Sequence, residues 1–392
     1  MKKVILSPLT GIRFFAAIYV ILFHNIGFFK DSPGFVFNFL KHGYVGVSLF
    51  FVLSGFILTY NYIEAFGENY LDNKKFWLAR FLRLYPIYFI SIIVSLPPFF
   101  YFLGKTLPLY PAVFKGIAIT TFTIPLLQSW ITFFLGQLNA PGWSLSVEAF
   151  LYFTFPFVAP CLAKIKNKNL IFIIIFSWIL SILPNIILLA LQQYKIAIDP
   201  DLPSIITSPY PLYSTFISSF PLFHLPQFMI GVIIAIIYMR DIEQKKYKLS
   251  NYINNQKVQF LRLAEIVIFS LIIIIMAQDK IYIESSLNNG IISPLFGLLF
   301  YVLAYEKGII SKLLSLPVFM MLGEASFCMY IFQAPVRTYL TIIVKKLGYD
   351  YTLNFFILYL MILVLLSLFI CNIDNRIRPI LKRRLTQTIK SN

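Results

Sequence analysis

The chain has 392 residues, 59% of them hydrophobic and only 12% charged, with a mean hydropathy of +0.80. A soluble domain of this length carries about twice that charged fraction, which excludes an aqueous globular enzyme and indicates a membrane protein. The net charge of +17 would suit a nucleic-acid binder, but the basic residues are scattered between apolar segments without any nucleic-acid-binding motif, so no nucleic-acid partner is expected.

Apolar stretches near the spanning length of about 20 residues recur at 9–29, 43–63, 84–103, 146–163, 169–191, 216–238, 263–278, 290–305, 318–343 and 352–373. Pro125 and several Thr interrupt a further stretch, 112–135, which reads as part of a long loop, re-entrant or at the membrane surface. With both termini in the cytosol, 23 of the 33 Lys and Arg fall on the inner side and eight on the outer, while Arg13 and Arg337 lie within helices. An eleventh span would put Lys382, Arg383 and Arg384 outside. The expectation is an all-α integral membrane protein: a polytopic bundle of about ten transmembrane helices, N- and C-termini cytosolic, in the cell membrane. Residues 1–392 read as a single transmembrane domain with no appended soluble domain. Membrane lipids are expected partners, because the basic inner loops face anionic headgroups. Met1, Lys2 and Lys3 ahead of an apolar run imitate a signal peptide, but no small-residue cleavage site follows and the run contains Arg13, so it reads as an uncleaved first helix. Cys161, Cys328 and Cys371 show no CxxC spacing, and neither a disulfide framework nor a metal site is expected.

Ionisable residues inside spans are costly and mark candidate sites. In the first span Arg13 and His24 are eleven residues apart, within about 20° of one helical face and separated by roughly 16 Å along it. Imidazole suits the taking and returning of a hydroxyl proton near neutral pH. His42, ahead of the second span, reads as a solvated loop residue. Ser48 and Gly55 in GYVGVSLFFVLSGF share a face of little bulk, which suits close helix packing or, as the second choice, the passage of a slender chain between helices. In FWLARFLRLYP, Arg80 and Arg83 stand on adjacent turns at the cytosolic entrance of span three; they read as a positive-inside anchor or as ligands for the phosphates of a cytosolic cofactor. WSLSVE, Trp143 to Glu148, opens span four from outside. Its Ser144 or Ser146 suits a helix cap with Glu148 on the N-terminal dipole; alternatively Glu148 pairs with His24 and orients the imidazole. The outer loops 104–145 and 192–215 offer Pro, Tyr and Trp for a substrate.

In order along the chain, GIR and LFH of helix one, GYVGVSLFFVLSGF, FWLARFLRLYP, WSLSVEAFLYFTFP, LPQFMIG (225–231) and LGEASFCMYIFQAP (322–335) resemble the acyltransferase 3 family of integral membrane O-acyltransferases acting on surface glycans. The resemblance implies about ten spans and transfer of an acyl group, usually acetyl from cytosolic acetyl-CoA or another short acyl-CoA, to a hydroxyl of a glycan acceptor, with no metal. By motif match it makes His24 catalytic, with Arg13, Arg80 and Arg83 among the functional arginines, and sets Trp143, Ser144, Ser146 and Glu148 in the WSLxxE element. Three departures stand out: Gln333 where relatives carry a helix-nine histidine, His224 where they carry an arginine before LPxFxxG, and IDNRIRP (373–379) where an acidic-Lys-Pro element is usual. Gln333 can bond but not titrate, whereas His224 is either a substitute base or a packing residue. A glycolipid transporter and a non-catalytic scaffold of a polysaccharide-synthesis complex are the rival classes; the absence of inverted-repeat symmetry speaks against the first.

Overall fold

A computed structural model of the chain describes residues 5–67, 71–198, 212–247, 255–278 and 290–391. Among these residues it is helical throughout, without strands. The helices are α1 (Ser7–His24), α2 (Gly34–Lys41), α3 (Gly46–Gly67), α4 (Asn73–Thr106), α5 (Leu109–Thr123), α6 (Gly142–Ala163), α7 (Asn167–Ile198), α8 (Leu212–Ser219), α9 (Pro221–Tyr247), α10 (Asn255–Met276), α11 (Ser293–Leu303), α12 (Ile309–Leu314), α13 (Pro317–Lys346) and α14 (Leu353–Ser391). Nine segments among the described residues are long and apolar enough to cross a membrane, and each matches a span read from the sequence. The remaining span, 290–305, is the short apolar helix α11.

Two local expectations change. Residues 109–123, assigned to a loop, form α5. Thr120 and Thr123 do not break that helix, because their hydroxyls donate to the carbonyls of Gly116 and Ile119 one turn back. His42 is buried rather than solvated, and its Nδ1 donates to the Met276 carbonyl at 2.6 Å. The helix that carries the third span starts at Asn73, where Asp72 caps it through the Lys75 amide at 3.0 Å, so Arg80 and Arg83 stand about two to three turns into that helix. The expected outer loop 192–215 falls largely on residues 199–211, outside the described ones.

The chain forms two compact units, each assembled from two separated stretches: Met1–Leu71 with Thr154–Met320, and Asp72–Phe153 with Met321–Asn392. The first unit centres on α3 and α9, its most closely apposed pair, joined by α1, α7, α10, α11 and α12. Val52, Phe56, Ile230, Ala235, Phe300 and Leu303 form its fully buried core. Glycine permits the α3–α9 approach. A Cβ on Gly55 would stand 2.2 Å from the Phe228 carbonyl oxygen, and one on Gly231 would stand 1.9 Å from that of Val52. Two glycines thus let the backbones touch reciprocally, the usual way membrane helices gain dispersion contact without a hydrophobic drive. The Ser48–Gly55 face therefore serves packing at Gly55.

In the second unit α4 packs against α5 and α14. Side-chain bonds sew the 124–141 connection to these helices. Gln128 Nε2 donates to the Gly142 carbonyl at 2.7 Å, and the Tyr88 hydroxyl donates to the Thr123 carbonyl at 2.5 Å. Asn139 Nδ2 reaches both Ser91 Oγ at 3.1 Å and the Ile331 carbonyl at 3.2 Å.

Candidate functional site

The second unit gathers most of the predicted site residues. The Glu148 carboxylate, one and a half turns into α6, accepts the hydroxyl of Tyr152 on the next turn. Tyr152 is buried, and its ring faces the Arg80 guanidinium, 6.0 Å from Cζ to ring centroid; the same Cζ lies 5.9 Å from the Phe76 ring. The charges of Arg80, Arg83 and Glu148 all act on Tyr152. A carboxylate, a phenol and two guanidiniums thus share one neighbourhood, with Tyr152 in contact with Glu148 and Arg80 and in the field of Arg83. Arg80 and Arg83 are half-buried, as is Glu148.

A third arginine joins them. Arg378 of α14 forms an ion pair with Asp374 one turn earlier and lies in the field of Arg83 and Arg80, beside Cys371 and Cys328. The sequence singled out IDNRIRP as a departure without assigning it a role. In the fold this segment brings a guanidinium and its carboxylate partner to the α4 arginines. Tyr152 and Arg378 were missed as site residues for different reasons. The first stands at i+4 from Glu148 on one helix, a spacing open to inspection. The second is almost 300 positions from Arg80 and only the fold unites them.

The WSLSVE serines do not cap α6, because the helix begins at Gly142 and both lie inside it. Ser144 Oγ donates to the Pro141 carbonyl at 3.1 Å and is hydrogen-bonded to the Tyr330 hydroxyl at 2.8 Å, while Ser146 donates to the Leu126 carbonyl. Trp143 accepts the Ser129 hydroxyl at its carbonyl, 2.6 Å away. The motif therefore ties its own helix to α13 and to the preceding connection. Gln333 is buried one turn beyond Tyr330. Its Nε2 donates to the Tyr330 carbonyl at 2.8 Å, and its own carbonyl accepts the Tyr359 hydroxyl at 3.2 Å. Glutamine here secures α13 internally while α14 is held to it by Tyr359.

Arg13, His24 and His224 belong to the first unit. Arg13 is half-buried in α1, and His24 is the last residue of that helix, its imidazole exposed beside the Phe23 ring. His224 is buried with both ring nitrogens engaged. Nε2 donates to the Ser218 carbonyl at 3.0 Å, which leaves Nδ1 to accept Gln227 Nε2 at 3.2 Å. That arrangement fixes a neutral tautomer whose acceptor nitrogen is already occupied. Among the described residues, no group of three or more His, Cys, Asp or Glu is placed to hold a metal ion.

A family model described as "Acyltransferase domain", the acyltransferase 3 model, matches residues 8–373. Acyltransferase MdmB of Streptomyces mycarofaciens is 34% identical over 177 residues, 43% of this chain and 43% of its own. Peptidoglycan O-acetyltransferase OatA of Listeria monocytogenes is 29% identical over 181 residues, 43% of this chain and 26% of its own. The putative peptidoglycan O-acetyltransferase YrhL of Bacillus subtilis is 36% identical over 85 residues, 21% of this chain and 12% of its own. The matched stretches thus span less than half the length of these relatives. No solved structure matches the chain significantly.

Proposed function

Because the chain belongs to the acyltransferase 3 family, we propose that it is a multi-pass membrane enzyme that moves an acyl group, acetyl in the simplest case, from acyl-CoA to a glycan hydroxyl. The observation that carries this reading beyond the family match is the grouping of Arg80, Arg83 and Arg378 around Tyr152, Glu148 and Asp374. Half-buried guanidiniums in apolar helices are costly. Arg378 is neutralised by Asp374, and the remaining positive charge suits phosphates, which guanidiniums hold bidentately. With both termini in the cytosol, the arginines of α4 and α14 face the compartment that holds acyl-CoA.

His24 is the base. As the acceptor oxygen bonds to the acyl carbon, the carbon–sulfur bond breaks, and the proton passes through the imidazole to the departing CoA thiolate. In a variant route the imidazole nitrogen first bonds to the acyl carbon as the carbon–sulfur bond breaks; the acceptor oxygen then bonds to that carbon as the carbon–nitrogen bond breaks, and its proton balances the released thiolate. Glu148 holds Tyr152 in place and offsets part of the arginine charge. The relatives named for peptidoglycan O-acetylation favour a cell-surface glycan as acceptor.

The test is His24→Ala in the full chain, reconstituted in nanodiscs with radiolabelled acetyl-CoA and a glycan acceptor. General-base removal predicts a fall of about 100-fold or more in transfer at equal protein level. Full transfer by the variant would refute the assignment.

A further inference from the structure

The second unit holds a cavity of about 380 Å³, near the lower end of the range for small-molecule sites. Its wall is built by the C-terminal turns of α4 (Ser95, Phe99, Phe102), by Lys115 of α5, by Gln137 and by Thr338 of α13. None of these residues belongs to the arginine cluster.

The local fold explains why the wall is preformed. Ser95 Oγ donates to the Ser91 carbonyl at 2.8 Å, and Ser91 Oγ accepts Asn139 Nδ2. Asn139 also grips the Ile331 carbonyl, so the segment carrying Gln137 is pinned to α4 and α13 together. Asn139 is buried, and its Oδ1 has no hydrogen-bond partner. On the other side, a Cβ on Gly116 would stand 2.2 Å from the Phe100 ring, so glycine lets α5 lie directly on α4. The neighbouring residue, Lys115, is thereby brought over the cavity.

The charge around this cavity is mostly positive. Residues 104–147 contain Lys105 and Lys115 but no Asp or Glu. The α13 terminus adds Lys345 and Lys346, against Asp350 alone in the following turn. Lys105 Nζ sits 4.5 Å from the Tyr101 ring centroid, and Lys346 acts on the same tyrosine. In the topology adopted above this is the outer end of the unit, where the positive-inside bias disfavours Lys. Four lysines there, with Lys115 in the wall itself, suit an anionic ligand.

We propose that this cavity is the acceptor subsite and that it receives a pyranose bearing a carboxylate. The acid would pair with Lys115, the ring's apolar face would lie on Phe99 and Phe102, and its hydroxyls would meet Gln137 and Thr338. The role as acceptor subsite rests on the acyl-transfer reading; the binding preference does not.

The test uses two probes with the same ring and linkage, methyl β-D-glucuronide and methyl β-D-glucoside. They are titrated against the purified full chain in nanodiscs, without acyl donor, by saturation-transfer NMR. The glucuronide should bind about fivefold more tightly at low ionic strength, and about 0.5 M salt should shrink that ratio. Lys115→Gln should bring the ratio to about one, Lys115→Arg should keep it, and Thr338→Phe should weaken both probes. Equal affinities in the native protein, or a ratio that survives Lys115→Gln, would overturn the proposal; the native ratio and its salt dependence read the charge even if a variant misfolds. A chain that binds the glucuronide but transfers nothing to any glycan would sink the transfer reading and leave the site standing. Transfer to neutral glycans without glucuronide preference would do the opposite.

Discussion

Tyr152→Phe isolates one bond of the candidate site. The ring stays beneath Arg80, 6.0 Å from its Cζ, so the cation–π contact survives. What disappears is the hydroxyl donated to Glu148. A hydrogen bond to a charged group contributes about 1.5–3 kcal/mol. Glu148 is only half-buried and water can replace part of that bond, which places the loss near the lower end, about 1.5 kcal/mol or roughly tenfold. Glu148→Gln keeps an acceptor oxygen for Tyr152 while removing the charge that offsets Arg80 and Arg83. The two singles and the double variant form a cycle, read by single-turnover transfer from acetyl-CoA in nanodiscs, with thermal unfolding followed in parallel. We expect the donor kcat/KM to fall about tenfold for Tyr152→Phe, with a coupling to Glu148 of about 1 kcal/mol. Additivity to within about 0.3 kcal/mol would show that the two do not act as a pair.

Gly231→Ala should force α3 from α9, since its Cβ would stand 1.9 Å from the Val52 carbonyl; we expect about 1–3 kcal/mol of lost stability in a thermal melt, and an unchanged midpoint would contradict the backbone contact. Asp374→Asn strips the counter-charge from Arg378 beside two further arginines. Breaking a buried pair costs about 3–5 kcal/mol, discounted here to about 2 because the Arg378 side chain is 32% exposed. Asp374→Asn with Arg378→Met should recover much of that loss in denaturant titrations, and no recovery would refute the pairing argument. Lys75 holds the Asp72 carboxyl below the usual carboxylate range, whose unperturbed value is 3.8. Its capping contribution, about 1 kcal/mol, is therefore complete above the unfolded-state value and lost as pH falls through the lower folded one. Asp72→Ala should destabilise equally from pH 5 to 8 and converge with the native protein only in stronger acid; a gap that changes across that neutral range would count against the cap.

The spans were legible because apolar length is a one-dimensional property, and all ten predicted segments coincide with helices. Their ends were less legible. The helix of span three begins at Asn73, well before the apolar run, and Asp72 three residues before Lys75 was the cap signal in plain view. Thr and Pro125 hid α5 because threonine was read as a breaker, whereas its hydroxyl can be satisfied by its own helix. His42 shows a harder limit. A polar residue before an apolar run looks solvated, and only the fold reveals that its ring meets a carbonyl 234 positions away. The same limit applies to the site. Tyr152 beside Glu148 follows from helical spacing, but no local pattern announces that Arg378 belongs with the α4 arginines, or that the WSLSVE serines would bond Tyr330 and Leu126 instead of capping.

The interleaving of the two units has a consequence for biosynthesis. The first stretch of the arginine-bearing unit leaves the ribosome by Phe153, but its second begins only at Met321, after the intervening stretch of the other unit. At ordinary elongation rates, about 5–20 residues per second, that gap lasts on the order of 10–30 s. During it, Arg80 and Arg83 sit in a nascent membrane protein without Arg378, Asp374, Tyr330 or Gln333. The cluster becomes complete only when the last helices have been made. A chain cut short by premature termination after α12 would retain α1, with Arg13 and His24, and lack Arg378 and Asp374 beside the α4 arginines. Assembly of the arginine cluster is thus tied to completion of the C-terminal helices.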